Sequence, residues 1–259
     1  MKRMRKTSRR PPGRFMDSPF AHFVETIACL GFIGAFGYGF YVFAKEYPGF
    51  QVRTIEIEGT HRLNEMAVLQ ESGITSDHNI LFFDKEATRG RVEDMAYVKS
   101  CVVSLTFPDT INLEIEERTP YLTLLVNSRA YELDEECVVL REYGQSELPD
   151  GPYVSNVAGL DFVELGEELT QPALREVVAV WKAYASHTQR PGATVSELAA
   201  YSENDIRMYF EEMLYEVRWG RGDADKAARR LAILWKSTGM GVNIEEYVDL
   251  RFGADVVCK

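Results

Sequence analysis

Residues 101–115 read CVVSLTFPDTINLEI. Cys101, Val103, Leu105 and Phe107 occupy alternate positions, Pro108-Asp109 breaks the run, and Ile111, Leu113 and Ile115 alternate again. A period of two puts each set on one face of a strand, so the stretch is a β-hairpin whose apolar side must be covered. The cover lies upstream. Leu63 to Leu69 has helical spacing that stops near Gly73, and a second helix is predicted from Asp84, an N-cap type of residue, to about Met95. Ahead of both, Val52, Ile55 and Ile57 lead to Gly59 as a short strand and turn. The order strand, helix, helix, strand, strand makes an α+β unit of about 70 residues, small for one core but viable.

Upstream of that unit the charge is unevenly placed. The 259 residues carry 29 Lys+Arg and 40 Asp+Glu, a net charge of −11, yet residues 1–19 hold a balance of +6. The remaining 240 residues therefore carry −17, and a body that acidic repels phosphate backbones, which excludes general nucleic-acid binding by the folded part. Directly after the basic head, Thr26 to Ala44 (TIACLGFIGAFGYGFYVFA) runs 19 residues without a charge. This is about the length that crosses a bilayer core of ~30 Å, so one transmembrane helix is predicted. Positive residues favour the cytoplasmic side, which leaves the head inside and sends residues 45–259 out. A cleaved secretory signal is the alternative, with Val42-Phe43-Ala44 as its small-residue pattern, but the run exceeds the ~7–15 residues of a signal core. Gly31, Ala35 and Gly39 recur every fourth position and would let a partner helix approach closely. Phe36, Tyr38, Phe40, Tyr41 and Phe43 gather at the outer end, as an interfacial aromatic belt does.

Downstream, Tyr121–Val126 and Ala130–Leu140 are strand-like and Pro149-Asp150-Gly151-Pro152 breaks the pattern. Gln171 to about His187 is predicted helical through Leu174, Val177, Val178, Trp181 and Tyr184. A meander over Thr194–Ala200, Ile206–Phe210 and Leu214–Trp219 follows, with Trp219-Gly220-Arg221-Gly222 as its closing turn, and then a helix from Asp223 to Lys236 with Ala227, Leu231, Leu234 and Trp235 inward. Val242 to Phe252 reads as a last strand with Val242, Ile244, Val248, Leu250 and Phe252 on the buried face and Tyr247, Asp249 and Arg251 on the other. The second unit is thus a mixed β domain with two helices.

Chemistry is harder to find. His22, His61, His78 and His187 are widely separated, and no HExxH, G-x-S-x-G, S-x-x-K or GxxxxGK pattern occurs. Asp223-Ala-Asp225 lacks the glycine and distal glutamate of a calcium loop and reads as a helix start. Arg221-Gly-Asp223 spells an adhesion tripeptide but reads as a turn glycine before an N-cap. Glu116-Glu117 and Glu211-Glu212 are adjacent on predicted strands, face opposite ways and read as solvated edges. With Cys29 in the membrane span, Cys101, Cys137 and Cys258 are an odd number with no CxxC spacing, so neither a disulfide framework nor a zinc site is indicated, and Cys101 reads as a core residue. No enzyme, metal, cofactor or small-molecule substrate is predicted.

VRTIEIEG at 52–59, Tyr97-Val98 with Cys101-Val102-Val103, FPDT at 107–110 and EERTP at 116–120 resemble the POTRA domain of the FtsQ/DivIB bacterial cell-division proteins. Beyond Pro120, Ala130-Tyr131-Glu132-Leu133-Asp134 with Cys137-Val138-Val139 resembles the hairpin that opens the family's β domain, with Glu136 where a turn glycine is usual. YVDLRF at 247–252 resembles its terminal strand. The resemblance implies a basic cytoplasmic tail (1–25), a membrane helix (26–44), a POTRA domain (50–119) and a C-terminal β domain (120–259). It further implies a bitopic, non-enzymatic scaffold in the inner (cytoplasmic) membrane at the division septum, N-terminus inside, which recruits other divisome membrane proteins. In the family the terminal strand region captures the small coiled-coil bitopic proteins FtsB/DivIC and FtsL by β-augmentation; carried over, Tyr247, Asp249, Arg251 and Phe252 are the expected contacts, on a strand whose backbone is free to pair. A second class, translocation or outer-membrane assembly factors with POTRA domains, places a β-barrel after them; here ~140 residues interrupted by two amphipathic helices follow, which argues against a barrel.

Overall fold

The computed structural model describes residues 19–147, 149, 151–188, 193–239, 244–253 and 255–259. The basic head and Val242 lie outside them. In chain order the elements are α1 (Pro19–Glu46), β1 (Thr54–Glu58), α2 (Glu65–Ser72), α3 (Lys85–Glu93), β2 (Val98–Thr106), β3 (Thr110–Glu117), β4 (Leu122–Val126), β5 (Arg129–Leu133), β6 (Val139–Glu142), β7 (Tyr153–Ser155), α4 (Pro172–His187), β8 (Val195–Ser202), β9 (Asp205–Phe210), β10 (Glu216–Trp219), α5 (Ala224–Thr238), β11 (Tyr247–Asp249) and β12 (Val257–Cys258). The fold is α+β, with a three-stranded sheet in the order β1-β3-β2 and a nine-stranded one in the order β12-β11-β10-β9-β8-β7-β4-β5-β6. The chain divides into two compact units, one of residues 1–55, 75–84 and 105–111, the other of 56–74, 85–104 and 112–259.

The first unit is organised by α1, in which His22–Glu46 form 25 residues long and apolar enough to cross a membrane, roughly 38 Å of helix. The helix outruns the uncharged run at both ends. At its C-terminal end the carbonyls that lack a helical partner are met by a side chain: the Asn79 amide donates to Ala44 O at 2.8 Å and Lys45 O at 3.2 Å. The 79–83 loop is fixed in turn, since Asn79 Oδ1 accepts the Leu81 N–H at 2.9 Å and Val52 N–H donates to His78 O at 2.9 Å.

In the second unit, α2 starts where Asn64 accepts the Met66 N–H at 2.8 Å and stops at Gly73, whose φ of 66° is left-handed. Ile111, Leu113 and Ile115 are buried on one face of β3, as their alternation predicts. The larger sheet is built from hairpins joined through β7. The β4–β5 turn uses Asn127 (φ 49°) and Ser128 (φ 63°), the paired positive φ of a tight hairpin. β7, hidden behind the Pro149–Pro152 break, pairs in parallel with both β4 and β8. Under the sheet, α4 buries Leu174, Val177, Val180 and Tyr184, and α5 buries Ala228, Leu231 and Trp235; Tyr184, Phe210 and Trp235 close an aromatic cluster with centroid separations of 5.6–6.2 Å.

Two expectations are corrected. The terminal strand is only Tyr247–Asp249, so Phe252 lies beyond it and is exposed, whereas Val248 and Leu250 are buried as expected. The backbone of that strand is not free: Gly253, at φ 58°, reverses the chain and β12 returns antiparallel to β11, pairing Val248 with Cys258 and Asp249 with Val257. In the β5–β6 turn, where Glu136 occupies the position usual for glycine, the left-handed residue is Cys137 at φ 64°.

Gly59 ties β1 to β3. Its φ is 86°, and a Cβ there would stand 1.9 Å from Ile115 O. Gly59→Ala should therefore cost about 2–3 kcal/mol in urea denaturation; a change below about 0.5 kcal/mol would show that the approach is not obligatory.

Candidate functional site

Glu117 and Arg118 stand where β3 leaves the POTRA-like segment. Glu117 is no solvated edge: its carboxylate accepts the N–H groups of His61 (2.9 Å), Arg62 (2.9 Å) and Leu63 (2.8 Å). Burial pushes its pKa up, but the three backbone donors outweigh it and hold the carboxyl below its ordinary value. Arg118 turns the other way and donates to Asp134 Oδ2 at 2.6 Å and Glu136 Oε2 at 2.8 Å, where Lys99 joins at 2.9 Å. Beside it, the Tyr97 hydroxyl donates to the buried Glu132, and burial followed by that carboxylate raises the phenol to about 12. The EERTP motif is thus a joint: one residue gathers the β1–α2 loop and its neighbour grips the opening turn of the larger sheet.

The far end of that sheet brings together three of the four expected contact residues. β9 turns Ile206, Met208 and Phe210 to the core and Arg207 and Tyr209 outward, and β10 turns Val217 and Trp219 in and Glu216 and Arg218 out. Register sets Arg218 between Arg207 and Asp249, and Glu216 beside Tyr247. Three arginines then meet three carboxylates. Arg218 Nε lies 2.5 Å from Glu216 and its guanidinium 4.0 Å above the Tyr247 ring; Arg207 reaches Asp205 at 3.0 Å and Glu216 at 3.6 Å. Arg251 clasps Asp249 through Nη2 at 2.6 Å and reaches Asp205 at 3.4 Å. Gly220 leaves room for it, since a Cβ there would stand 2.9 Å from Arg251 Cγ.

Asp249 is buried although it faces outward. Burial raises its pKa, but the side chain and N–H of Arg251 outweigh that and hold the carboxyl below its ordinary value. Burial, then the Glu216 carboxylate, pushes Tyr209 up to about 12. The face is a neutralised arginine–carboxylate lattice under tyrosine rings. Among the described residues no group of three or more His, Cys, Asp or Glu side chains could hold a metal.

Phe252 sits apart from this lattice, 57% exposed in the loop between β11 and β12. The loop is held by a residue the sequence did not single out: Arg230 of α5 donates to Leu250 O at 2.9 Å, Asp255 O at 3.0 Å and also to Gly253 O. Its only sequence signal is a cation on an otherwise amphipathic helix. Beyond the loop, β12 forms the sheet's edge. Lys259 N–H donates to Tyr247 O at 3.1 Å, so in the antiparallel alternation the N–H and C=O of Cys258 point to the open side. Gly31, Ala35 and Gly39 lie on α1, where a Cβ at Gly31 or Gly39 meets nothing within 4 Å.

Residues 50–118 match the model of the POTRA domain, FtsQ-type, and residues 124–251 that of the cell division protein FtsQ/DivIB, C-terminal. The chain is similar to the cell division protein FtsQ of Syntrophotalea carbinolica, at 24% identity over 99% of this chain and 90% of the relative. The Geotalea daltonii protein of that name is 20% identical over 92% and 86%, and that of Myxococcus fulvus 23% over 74% and 66%.

Because Asp249 is held below its ordinary pKa in the folded chain, its contribution to stability is complete above about pH 4 and is lost as pH falls below that. Asp249→Asn should be less stable at pH 7 and lose less between pH 5 and pH 3 than the unsubstituted chain; parallel pH profiles by urea denaturation would contradict this. Arg251→Glu sets a second carboxylate against Asp249 and should cost on the order of 2 kcal/mol, so it is a stability substitution and not a pure test of binding.

Proposed function

Because this chain belongs to the FtsQ/DivIB family of bacterial cell-division proteins, we propose that it is a non-enzymatic bitopic scaffold that links septal membrane proteins through its exported domains. On this reading α1 crosses the cytoplasmic membrane once, the basic head stays inside, and the two domains work outside. The Gly31–Ala35–Gly39 stripe, open along α1, offers a partner helix close approach.

The partners of this reading are FtsB/DivIC-like and FtsL-like coiled-coil bitopic proteins, with other divisome membrane proteins gathered through them. The observation that carries it is the edge of the larger sheet: β12 is two residues long and exposed, and presents the Cys258 N–H and C=O. An added strand satisfies those groups, and Phe252 supplies an apolar anchor from a loop whose backbone Arg230 already holds at Leu250, Gly253 and Asp255. Tyr247, Asp249 and Arg251 contribute as the polar floor next to that edge, their charges already matched, so a partner meets a shape and a hydrogen-bonding row more than a net field.

Phe252→Ala should weaken capture of the coiled-coil partner's exported segment about tenfold or more. Because the ring is exposed, the urea midpoint should not move. Undiminished capture would take Phe252 out of the interface. Orientation is tested separately: a reporter active only outside the cytoplasm, fused at Lys259, should be active, and an inactive fusion would reverse the topology.

A further inference from the structure

We propose that the Ile80–Phe83 loop is a second, monotopic membrane contact: Leu81 and Phe82 sit in the outer lipid interface beside the span and fix the base of the POTRA domain on the bilayer. The inference rests on reading α1 as membrane-spanning and adds a lipid surface as a ligand of the exported region. It begins from an apolar cluster that the core does not use. Ile80 is buried, but Leu81 (41%) and Phe82 (50%) are exposed in a 3-10 turn. The Phe82 ring packs edge-on against Tyr41 with centroids 5.4 Å apart.

Tyr41 gives the depth. It precedes the last residue of α1, Glu46, by five positions, about 7.5 Å of helix rise. Phe82 is therefore level with the aromatic belt of the span and well below the helix end. The arrangement is anchored, since Asn79 caps the α1 carbonyls of Ala44 and Lys45 and holds the Leu81 N–H with the same side chain. On another side of the helix end Phe43 stacks on Tyr47 at 5.1 Å, and both rings are exposed. Aromatic and aliphatic side chains at that level are those that partition into the headgroup and upper acyl region. Continuity with an exposed apolar helix makes lipid the occupant. A water-facing loop would leave Leu81 and Phe82 solvated at the same height as the membrane span itself.

The test uses the full chain reconstituted in phosphatidylcholine vesicles whose acyl chains are brominated either near the carbonyl end or near the methyl end. Phe82→Trp and Leu81→Trp each add an indole, read as the emission above that of the unsubstituted chain, which supplies the background of Trp181, Trp219 and Trp235. Bromines near the carbonyl end should quench the added emission more strongly than those near the methyl end, and aqueous acrylamide should quench it weakly. Ile33→Trp, midway along the span and outside the aromatic belt, is the control and should be quenched best by deeper bromines. If Ile33→Trp behaves so while both loop variants are quenched by acrylamide and not by brominated lipid, the lipid contact is overturned and the span stands. If Ile33→Trp also escapes the brominated lipid, α1 does not span and the proposal falls with it.

Discussion

β7 is three residues long, and the continuity of the larger sheet depends on it. It pairs in parallel with β4 through Thr123 and Leu124 and with β8 through Glu197, Leu198 and Ala199. Without that strand the sheet separates into the hairpins that follow the joint (β4, β5, β6) and the meander that leads to the edge (β8 to β12). Val154, buried at its centre, sits in the same core as α4 and α5. A short strand can hold two halves because it is paired on both edges and buried at Val154, with successive residues directing their backbone groups to opposite neighbours.

From that continuity a line of rigid connections follows. Glu117 ties the β1–α2 loop to β3, Arg118 ties β3 to the Asp134 turn, β5 and β4 lead to β7, and the meander ends in the arginine–carboxylate lattice and β12. For the proposed scaffold this matters more than any single contact, because a partner captured at the edge would be held at a fixed place relative to the joint. The lattice serves that purpose differently from a charged patch. With Arg207, Arg218 and Arg251 each matched by a carboxylate, it stiffens three strands while keeping the face close to neutral, and partly buried pairs of this kind favour a unique arrangement more than they add net stability.

Much of this was legible in the chain. The alternation of Ile111, Leu113 and Ile115, the Gly73 stop of α2, and the Asp223 start of α5 follow from period and capping chemistry, which are local. β7 was not legible, because three residues carry no period and sit behind a Pro-Asp-Gly-Pro break. The end of the last strand failed for a related reason: Leu250 and Phe252 continue the alternation of Val248, but Gly253 and Arg230 stop the strand, and Arg230 acts from a helix 20 residues away in sequence from Leu250. Glu117 looked solvated because alternation on a strand reports which face a side chain takes and not whether a neighbouring loop folds over it. The shared face of Tyr247 and Asp249 follows from their alternation. Their engagement with Arg218, and that of Arg251 with Asp205, needed the strand register.

The claim on which the account turns is that a partner strand adds to the β12 edge. Backbone hydrogen exchange, read residue by residue on the full chain with and without the exported segment of the proposed coiled-coil partner, tests it most directly. Protection should rise at Cys258 and its neighbours in 255–259, with little change in β6 at the opposite edge. Protection that rises at β6, or that leaves 255–259 exchanging as freely as in the unbound chain, would contradict the account.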